Sequence, residues 1–381
     1  MNMKHEIVYM IVLLVLMACH SSDNTEHRGK KMQTMRVTNL DSLWISGDSL
    51  TGEGNFFILD SCLYLADRRV GTICGFSLED GHLVSKELRK GNGRNELPSF
   101  MYFYPFRNKP NLWWAVDGSY VFYTYDRVEK ELKNHGRMNF GWNERGDVDF
   151  DSPSWYGLME MSDFGVSFTY LNDSSYLIPV NVMHRYIGNH ASDQFRKGHI
   201  FGQLNPRTMS VERVFGRIPD IYHNRPTTFF DFFHYDTKGD TVYVSHAIDS
   251  LIYVYKYPET LLYTMGYEGM GVKREYTETY ELMTNYRSDV ETVGMNTSMS
   301  YVPETGLLLR TMLTNGFTYE EGKTLLQVYK DEDLVLETSM PDYFQYLGYY
   351  NGKYYGIRHI SLDMEDGQMF FVLYSFRITR K

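Results

Sequence analysis

The feature that most constrains the fold is a pair of short apolar strands that recurs six times along the chain, the second strand of each pair carrying an aromatic residue. The first strands of the pairs are residues 62–66, 112–116, 176–180, 241–245, 307–310 and 354–357. Their partners are residues 73–78, 121–125, 199–204, 251–255, 324–329 and 370–376. A strand pair that repeats every roughly 45 to 65 residues is typical of a β-propeller, in which each repeat forms one blade. We therefore predict an all-β, six-bladed β-propeller.

The composition agrees with this prediction. The chain of 381 residues contains 32 tyrosines, 23 phenylalanines and only 11 prolines, and aromatic residues suit the half-buried surface of a sheet. No Pro-, Ser- or Gly-rich linker interrupts the repeats. We predict one domain over residues 34–381, because large β folds often form a single domain at this length.

The N-terminus has a different character. Residues 7–18 form an apolar run behind a positively charged start, and the run is too short to cross a bilayer as a helix. It ends in the sequence LMAC at residues 16–19, which resembles the lipobox of bacterial lipoproteins. This resemblance implies a signal peptide over residues 1–18 and a lipid anchor on Cys19. An ordinary secretory signal or an uncleaved anchor is the alternative.

Residues 19–33 are polar and charged, which is typical of a flexible tether between a membrane anchor and a folded domain. His20 follows the cysteine, at the position where lipoproteins retained in the inner membrane usually have aspartate. The resemblance to lipoproteins therefore implies an outer-membrane lipoprotein that faces the periplasm or the cell surface.

The other two cysteines would then lie in an oxidising compartment. Cys62 is on the first strand of the first pair and Cys74 on the second, and the two are symmetric about a turn near Arg68 and Arg69. Residues directly opposed in a simple hairpin lie within the distance that a disulfide spans. We therefore hypothesise a Cys62–Cys74 disulfide. The alternative is two buried free thiols that pack as small apolar groups.

The last repeat ends close to the C-terminus, because only residues 377–381 follow its second strand. Its blade therefore lacks an outermost strand from the C-terminal side. Residues 34–45 contain Val37, Leu43 and Trp44 and have no other partner. We predict that this N-terminal strand joins the last blade and closes the ring, so that its deletion destabilises the whole domain.

Part of the first repeat resembles a known family. The sequence LYLAD at residues 63–67 is followed by GNGRNE at residues 91–96. In the TolB-like six-bladed β-propeller lipoproteins of Bacteroidota, a strand that ends in a hydrophobic residue, alanine and aspartate precedes a G-x-G-x-x-E stretch that enters the next blade. The likeness covers about residues 55–100. It implies the same fold and a place in the cell envelope, but no particular reaction.

Sequence motifs for catalysis, metals and phosphate are absent. The chain has no H-E-x-x-H, no paired C-x-x-C and no G-x-S-x-G. The stretch at residues 91–96 lacks the Gly-Lys-Ser/Thr ending of a phosphate-binding loop, so we expect a turn between two blades. The sequence DVDFD at residues 147–151 resembles the start of a calcium loop but lacks the glycine and glutamate that such a loop needs later. We predict no catalytic residue, no metal and no cofactor.

Positive side chains recur in or beside the loops between the second and third strands of the blades, which open on one face of a propeller. The candidate ligand-binding residues are Arg68, Arg69, His184, Arg185, His246, Arg310, Arg358 and His359. In a protein of formal net charge −10, a positive mouth would attract an anionic ligand. Replacing Arg185, Arg310 and Arg358 by alanine should then weaken binding and leave the melting temperature nearly unchanged. The alternative is that these side chains pair with nearby carboxylates or are simply solvated.

Exposed aromatic residues that stack on sugars are a second possible basis for binding. Candidates in the long, non-repeating stretches are Trp142, Trp155, Tyr156 and Tyr186. Nucleic acid is an unfavourable partner for an acidic envelope protein. We predict a membrane-tethered binding or scaffold propeller whose partner is an envelope protein, a glycan or an anionic ligand. The alternatives are an envelope enzyme, such as a glycan lyase or hydrolase with its site in the central funnel, and an assembly factor for envelope complexes.

Overall fold

The computed structural model describes residues 26–47, 50–93, 95–106, 108–142, 148–159, 168–183, 191–227, 230–279, 286–316, 322–358 and 370–381. In these residues, six sheets form the blades of a β-propeller, as predicted. None of the described helices has the length and apolar character needed to cross a bilayer.

The first half of the ring follows the chain in order. Strand β1 (Met35–Ser46) precedes blade 1, which consists of β2 (Gly54–Leu59), β3 (Cys62–Asp67), β4 (Thr72–Ser77) and β5 (Leu83–Glu87). A linker with the short strands β6 (Arg89–Lys90) and β7 (Glu96–Leu97) leads to blade 2, which consists of β8 (Tyr102–Phe106), β9 (Lys109–Val116), β10 (Val121–Asp126) and β11 (Glu131–Arg137). Blade 3 contains β12 (Tyr156–Leu158), β13 (Thr169–Asn172), β14 (Ser175–Val182), β15 (His199–Asn205) and β16 (Ser210–Arg217).

The second half continues in the same way. Blade 4 consists of β17 (Phe233–Lys238), β18 (Thr241–His246), β19 (Ile252–Lys256) and β20 (Thr260–Met265). Blade 5 consists of β21 (Met295–Val302), β22 (Leu307–Leu313), β23 (Thr324–Lys330) and β24 (Asp333–Met340). Blade 6 contains β25 (Phe344–Tyr350), β26 (Lys353–Arg358) and β27 (Phe370–Arg380). Short helices α1 (Ala191–Lys197), α2 (Ile221–Asn224) and α3 (Tyr286–Thr292) lie in the loops.

The six predicted strand pairs are the second and third strands of the blades. These middle strands are covered by a neighbouring blade on both faces, so their sequences are nearly continuous apolar runs. Every residue of β22, for example, is buried. Outer strands such as β11 have mostly exposed or half-buried side chains and a polar sequence. They are therefore not recognisable as apolar runs in the sequence.

The ring is closed as predicted by the N-terminal strand. β1 is antiparallel to β27, with Met35 opposite Arg380 and Ser46 opposite Phe370. It forms the outermost strand of blade 6, and its own Ile45 is fully buried. The first and last strands of the domain are thus hydrogen-bonded to each other.

Residues 26–33, which we call the strap, were predicted to be part of a flexible tether but are bonded to the propeller. The strap runs along the outer strands of blades 4 and 5. The N–H of Arg28 donates to the carbonyl of Thr264 at 2.7 Å, and the N–H of Leu334 donates to the carbonyl of Lys30 at 2.9 Å. The tether prediction is therefore wrong for this segment, because its backbone is bonded to two blades. Cys19 and the predicted signal peptide lie outside the described residues.

Aromatic side chains fill the spaces between blades. The fully buried Trp113 packs against Phe57 and Tyr64 of blade 1, with ring centroids 5.5 and 5.2 Å apart. Trp114 stacks on Phe168 at 4.1 Å, where blade 2 meets blade 3. Much of the high aromatic content therefore serves blade packing.

The hypothesised disulfide is wrong because the turn of the first hairpin is centred elsewhere. Asp67 lies opposite Thr72, so the centre falls between Arg69 and Val70, and Cys62 faces Ser77 while Cys74 faces Leu65. The buried Asp67 carboxylate fixes this turn by accepting the N–H groups of Arg69 and Val70. Both thiols are free, and burial raises the pKa of the Cys74 thiol.

The glycine stretch forms the predicted turn between blades 1 and 2. β6 and β7 pair across it, and the N–H of Gly91 donates to the carbonyl of Leu97 at 2.9 Å. The Glu96 carboxylate accepts the N–H of Gly93 at 2.9 Å, so the glutamate of the G-x-G-x-x-E stretch closes the turn.

Candidate functional site

A central channel of about 1010 Å³ is the candidate site. Its wall is built from the innermost strands, and all six blades contribute to it. Each of the inner strands β2, β8, β17, β21 and β25 pairs with one neighbour only, so its other edge turns N–H and C=O groups towards the channel. A ligand in the channel would therefore meet backbone donors and acceptors around its circumference.

Tyrosines dominate the side chains that remain partly or fully exposed in this wall. They are Tyr104, Tyr170, Tyr301, Tyr349 and Tyr350. Each belongs to an inner strand, and each lies in the half of the channel near the turns that join first and second strands. A tyrosine ring offers an apolar face for stacking and a hydroxyl for hydrogen bonding.

Other aromatic rings hold these tyrosines in position. Tyr301 stacks on Tyr243 with centroids 6.1 Å apart, and Tyr349 packs edge-on against Tyr354 at 4.9 Å. Tyr104 in the same way packs against Trp114 at 5.7 Å. Rings supported from behind lose little freedom when a ligand stacks on them, so the wall is preorganised for binding.

Polar and charged groups complete the wall. Ser298, Ser300 and Gln345 are half-buried between the tyrosines. Near the turns the wall also includes Lys238, Asp60 and Glu304. The Lys238 Nζ lies 5.3 Å from the centre of the Tyr301 ring, and Asp60 pairs with Arg127 at 3.2 Å. Charges of both signs surround this mouth, so the channel has no strong preference for an anion.

One carboxylate in the wall serves to join blades. Asp236 is buried within β17 and accepts the N–H of Thr237 at 2.7 Å and the N–H of Tyr301 at 2.6 Å. It thereby connects the inner strand of blade 4 to that of blade 5. This contact fixes Tyr301 at the position where its ring borders the channel.

The predicted positive face lies at the opposite end of the ring, because successive turns of an antiparallel blade alternate between its two ends. Arg68 and Arg69 are exposed there in the β3–β4 turn of blade 1. The Arg69 guanidinium forms an exposed ion pair with Glu53 at 3.1 Å. Such a pair fits the alternative of structural pairing, and it contributes little to stability.

His246 is wrongly predicted as part of that face. It ends β18 fully buried among Tyr222, Phe233 and Tyr253, with ring centroids 5.5 to 5.7 Å away. Neither ring nitrogen has a hydrogen-bond partner among the described residues. Burial lowers the pKa of His246 to about 3, with a smaller contribution from the nearby His234, so the ring is neutral at pH 7.

Arg310 is also wrongly predicted, because it lies inside blade 5. Its fully buried guanidinium donates to the carbonyls of Ser250 and Tyr267, both at 2.8 Å, and to the Gln327 amide oxygen at 2.6 Å. Burial lowers its pKa. Gln327 in turn donates to Glu337, whose other oxygen accepts from Lys31 of the strap at 2.9 Å. Arg310 therefore links blade 4, blade 5 and the strap.

The remaining candidates for the positive face are Arg358, His184, Arg185 and His359. Arg358 ends β26 in a half-buried position, and its Nε has no hydrogen-bond partner among the described residues. His184, Arg185 and His359 lie outside the described residues. Binding by Arg68, Arg69 and Arg358 stays a prediction, and the structure does not gather the predicted set into one mouth.

Two of the four aromatic candidates from the sequence are core residues, and a third is partly buried. Tyr156 is fully buried and donates to the carbonyl of Phe150 at 2.7 Å, and Trp155 is buried beside it. Trp142 stacks on Phe140 at 5.6 Å. Tyr186 lies outside the described residues. The channel tyrosines were missed, although a tyrosine shortly before the first turn of a repeat is a signal that could have identified several of them.

The described part of the chain contains no cluster of three His, Cys, Asp or Glu side chains placed to hold a metal ion. Of the possible calcium ligands, Asp151 instead accepts from the His199 Nε2 at 2.9 Å, and Asp149 caps the following turn through the N–H of Asp151 at 3.0 Å. Asp147 lies outside the described residues.

Comparisons with known proteins support the fold. A member of the DUF4221 family from Bacteroides vulgatus matches 92% of this chain and 100% of its own, with a TM-score of 0.63 and 11% identity. A protein from Bacteroides fragilis thought to be exported matches over 93% and 98%, with a TM-score of 0.48 and 12% identity. A PQQ-bound aldose sugar dehydrogenase from Streptomyces coelicolor covers 92% and 100%, with a TM-score of 0.46 and 10% identity. No protein-family model and no curated protein matches the sequence.

At 11% identity, the similarity to the DUF4221 protein shows a shared propeller fold and nothing about activity. The two weaker matches carry no argument. The TolB-like resemblance of the first repeat stays a prediction.

Proposed function

We propose that this protein is a lipoprotein of the cell envelope that binds carbohydrate in its central channel without chemical turnover. The observation that carries the proposal is the ring of supported, partly exposed tyrosines in a channel of about 1010 Å³. That volume is at the upper end for ligand sites, which leaves room for an oligosaccharide.

The chemistry of the wall favours a sugar over an anion. Tyrosine faces stack on the C–H faces of pyranose rings, while hydroxyl, amide and backbone groups satisfy sugar hydroxyls. The side chains of Ser298, Ser300 and Gln345 supply such groups beside the tyrosines. The wall carries Lys238 together with the carboxylates of Asp60 and Glu304, so it offers an acidic sugar no excess of positive charge.

The proposed location rests on the sequence. The LMAC stretch at residues 16–19 supports lipidation of Cys19, and His20 supports transport to the outer membrane. The TolB-like resemblance of residues 55–100 supports the same compartment. Mass spectrometry of the protein purified from a bacterial membrane tests this part, because a diacylglycerol on Cys19 is expected.

Calorimetric titration with neutral oligosaccharides tests the proposed site. The probes are tetraoses of glucose, mannose, galactose and N-acetylglucosamine. We expect at least one to bind, and we expect the double variant Tyr301→Ala/Tyr349→Ala to bind it at least about tenfold more weakly, since each lost stacking contact costs about 1 kcal/mol.

Trp44→Ala is the matched control. It removes an aromatic ring that is 61% exposed on β1, on the outside of the ring, and it should leave binding unchanged. Binding that survives the double variant, or that is lost equally in the control, would refute the channel as the site. If only acidic oligosaccharides bind, the predicted anionic ligand is correct and the neutral-sugar proposal is wrong.

A further inference from the structure

The strap determines where the membrane anchor meets the propeller. Glu26 is the first described residue, and its carbonyl accepts the N–H of Thr264 on β20 at 3.0 Å. The ring of His27 packs against Tyr267 with centroids 5.5 Å apart, and the Tyr267 hydroxyl donates to the carbonyl of Gly29 at 2.7 Å. The chain is therefore fixed to blades 4 and 5 from its first described residue onward.

The link between this point and the predicted lipid is short. Only residues 20–25 separate Cys19 from Glu26. A fully extended chain covers at most about 25 Å over this distance, whereas a compact domain of this size is about 50 Å across. Because the strap is bonded to blades 4 and 5, a lipid on Cys19 would bring their outer edge nearest to the bilayer.

The surface chemistry of that edge suits a membrane. Leu261 and Leu262 on the outer strand β20 are 36% and 43% exposed, and they precede Thr264 by three and two residues. At the spacing of a strand they lie within about 10 Å of the strap. A bulge in the pairing of β19 with β20 lies at this pair of leucines.

The positive charge of the strap is largely compensated. Arg28 pairs with Glu26, and Lys31 pairs with Glu337, both at 2.9 Å. Lys30 is exposed. The suitability of this edge for a membrane therefore rests on its exposed leucines and on the short link to Cys19, more than on charge.

We propose that the strap and β20 form a membrane-contact face, and that the propeller lies with the outer edge of blades 4 and 5 against the lipid surface. This inference rests on the proposed lipidation of Cys19. Because outer strands lie at the rim of the ring, both ends of the central channel then remain open to the aqueous compartment.

Lipid quenching of a site-specific fluorophore tests the orientation. The full lipidated chain is reconstituted in vesicles of phosphatidylethanolamine and phosphatidylglycerol with brominated acyl chains. A genetically encoded fluorescent amino acid replaces Leu262 in one sample. In the matched control it replaces Val84, which is 46% exposed on the outer strand of blade 1, across the ring from blade 4.

We expect quenching at position 262 to exceed that at position 84 by at least about twofold, because side chains of an interfacial surface enter the acyl boundary. Equal quenching at the two positions, or stronger quenching at position 84, would overturn the proposal.

A second variant tests the part played by the strap. Gly29 has φ +98°, and a Cβ there would lie 2.0 Å from the carbonyl oxygen of Glu332, so Gly29→Val should detach the strap. We expect the fluorophore at position 262 to lose most of its quenching, while the vesicles still carry the protein through its lipid. Unchanged quenching in a variant with an unchanged melting temperature would show that the strap does not orient the domain.

The mass of the membrane-extracted protein distinguishes failure of this proposal from failure of the proposed function on which it rests. A chain without lipid on Cys19 would overturn both the lipoprotein assignment and the contact face. A lipidated chain without selective quenching at position 262 would overturn the contact face alone. Sugar binding in the channel is tested separately, by the calorimetric titration.

Discussion

Blade 5 contains two polar regions with opposite surroundings. Inside the blade, the Arg310 guanidinium is fully buried, and its nitrogens donate to Ser250, Tyr267 and Gln327. At the inner edge of the blade, the Tyr301 ring remains half-buried in a channel wide enough for a ligand. The two residues are nine positions apart in the sequence, and each looks equally suited to binding.

The difference shows which polar groups are available for function. A buried group whose hydrogen bonds are made within the protein stabilises the fold, because removing it leaves its partners unsatisfied. A preorganised group in a concave, solvent-filled site can exchange water for a ligand. We therefore expect changes in the blade interiors to reduce stability, and changes in the channel wall to reduce binding.

The largest effect on stability is expected from loss of β1, the strand that closes the ring. Deleting residues 34–45 removes β1, which pairs along β27 and carries the fully buried Ile45. The deletion would leave blade 6 with three strands and the outer edge of β27 unpaired. We expect loss of cooperative unfolding in urea. A truncated protein that still unfolds in one sharp transition would contradict closure by this strand.

Arg310→Met is expected to cost about 3–5 kcal/mol in the free energy of unfolding, because it leaves the Ser250 carbonyl without its donor and removes one of the two donors to the Tyr267 carbonyl. Urea denaturation measures this change. The matched control is Arg69→Met, which removes an exposed guanidinium and should cost less than about 1 kcal/mol. If the two variants are equally stable, Arg310 does not hold the interior together.

Stability in acid provides the next largest effect. The pKa of His246 is about 3 in the folded protein and 6.5 in the reference state, so the unfolded chain takes up a proton first. His246 therefore contributes stability above pH 6.5 that is lost as the pH falls towards 3, at up to about 1.4 kcal/mol per pH unit.

His246→Phe should flatten the dependence of the unfolding free energy on pH between 6.5 and about 4. Ser245→Ala, a substitution of the neighbouring buried residue that does not titrate, should keep the slope. Burial also lowers the pKa of His135 and His199, so a smaller slope of the same sign should remain in the His246 variant. An unchanged slope in that variant would show that His246 is accessible to protons in the folded state.

The fold was predictable because burial on both faces leaves a clear sequence signal. Middle strands such as β3 and β22 are nearly continuous apolar runs, and six of these pairs define six blades. The closing strand could be inferred because the last repeat leaves only a few residues after its second strand. The strap was missed, since its bonds to Thr264 and Leu334 are made by backbone groups that no side-chain pattern reveals.

The site was much less predictable. The predicted Cys62–Cys74 disulfide was wrong because Asp67 shifts the centre of the turn through its hydrogen bonds to backbone N–H groups. Arg310 was mistaken for a loop residue because an arginine after an apolar run resembles the end of a strand. Several channel tyrosines share a position shortly before the first turn of a repeat, but their exposure could not be predicted, because exposure at an inner edge depends on closure of the whole ring.

The smallest effect on stability is expected at the channel wall. Tyr301→Phe keeps the ring and its contact with Tyr243 and removes only the hydroxyl. We expect the free energy of unfolding to change by less than about 0.5 kcal/mol, while sugar affinity falls severalfold through the lost hydrogen bond. Chemical denaturation and calorimetry on the same sample compare the two quantities. A large loss of stability would place Tyr301 with Arg310 in the interior rather than in the binding surface.

The most direct test of the central claim is a crystal structure of the protein with the tightest-binding oligosaccharide from the titration. We predict electron density for a sugar ring within the channel, stacked on Tyr301 or Tyr349 and hydrogen-bonded to groups such as Ser298 or Gln345. A sugar bound instead at the opposite face near Arg68 and Arg358, or on the outer strands, would contradict the assignment of the channel as the binding site.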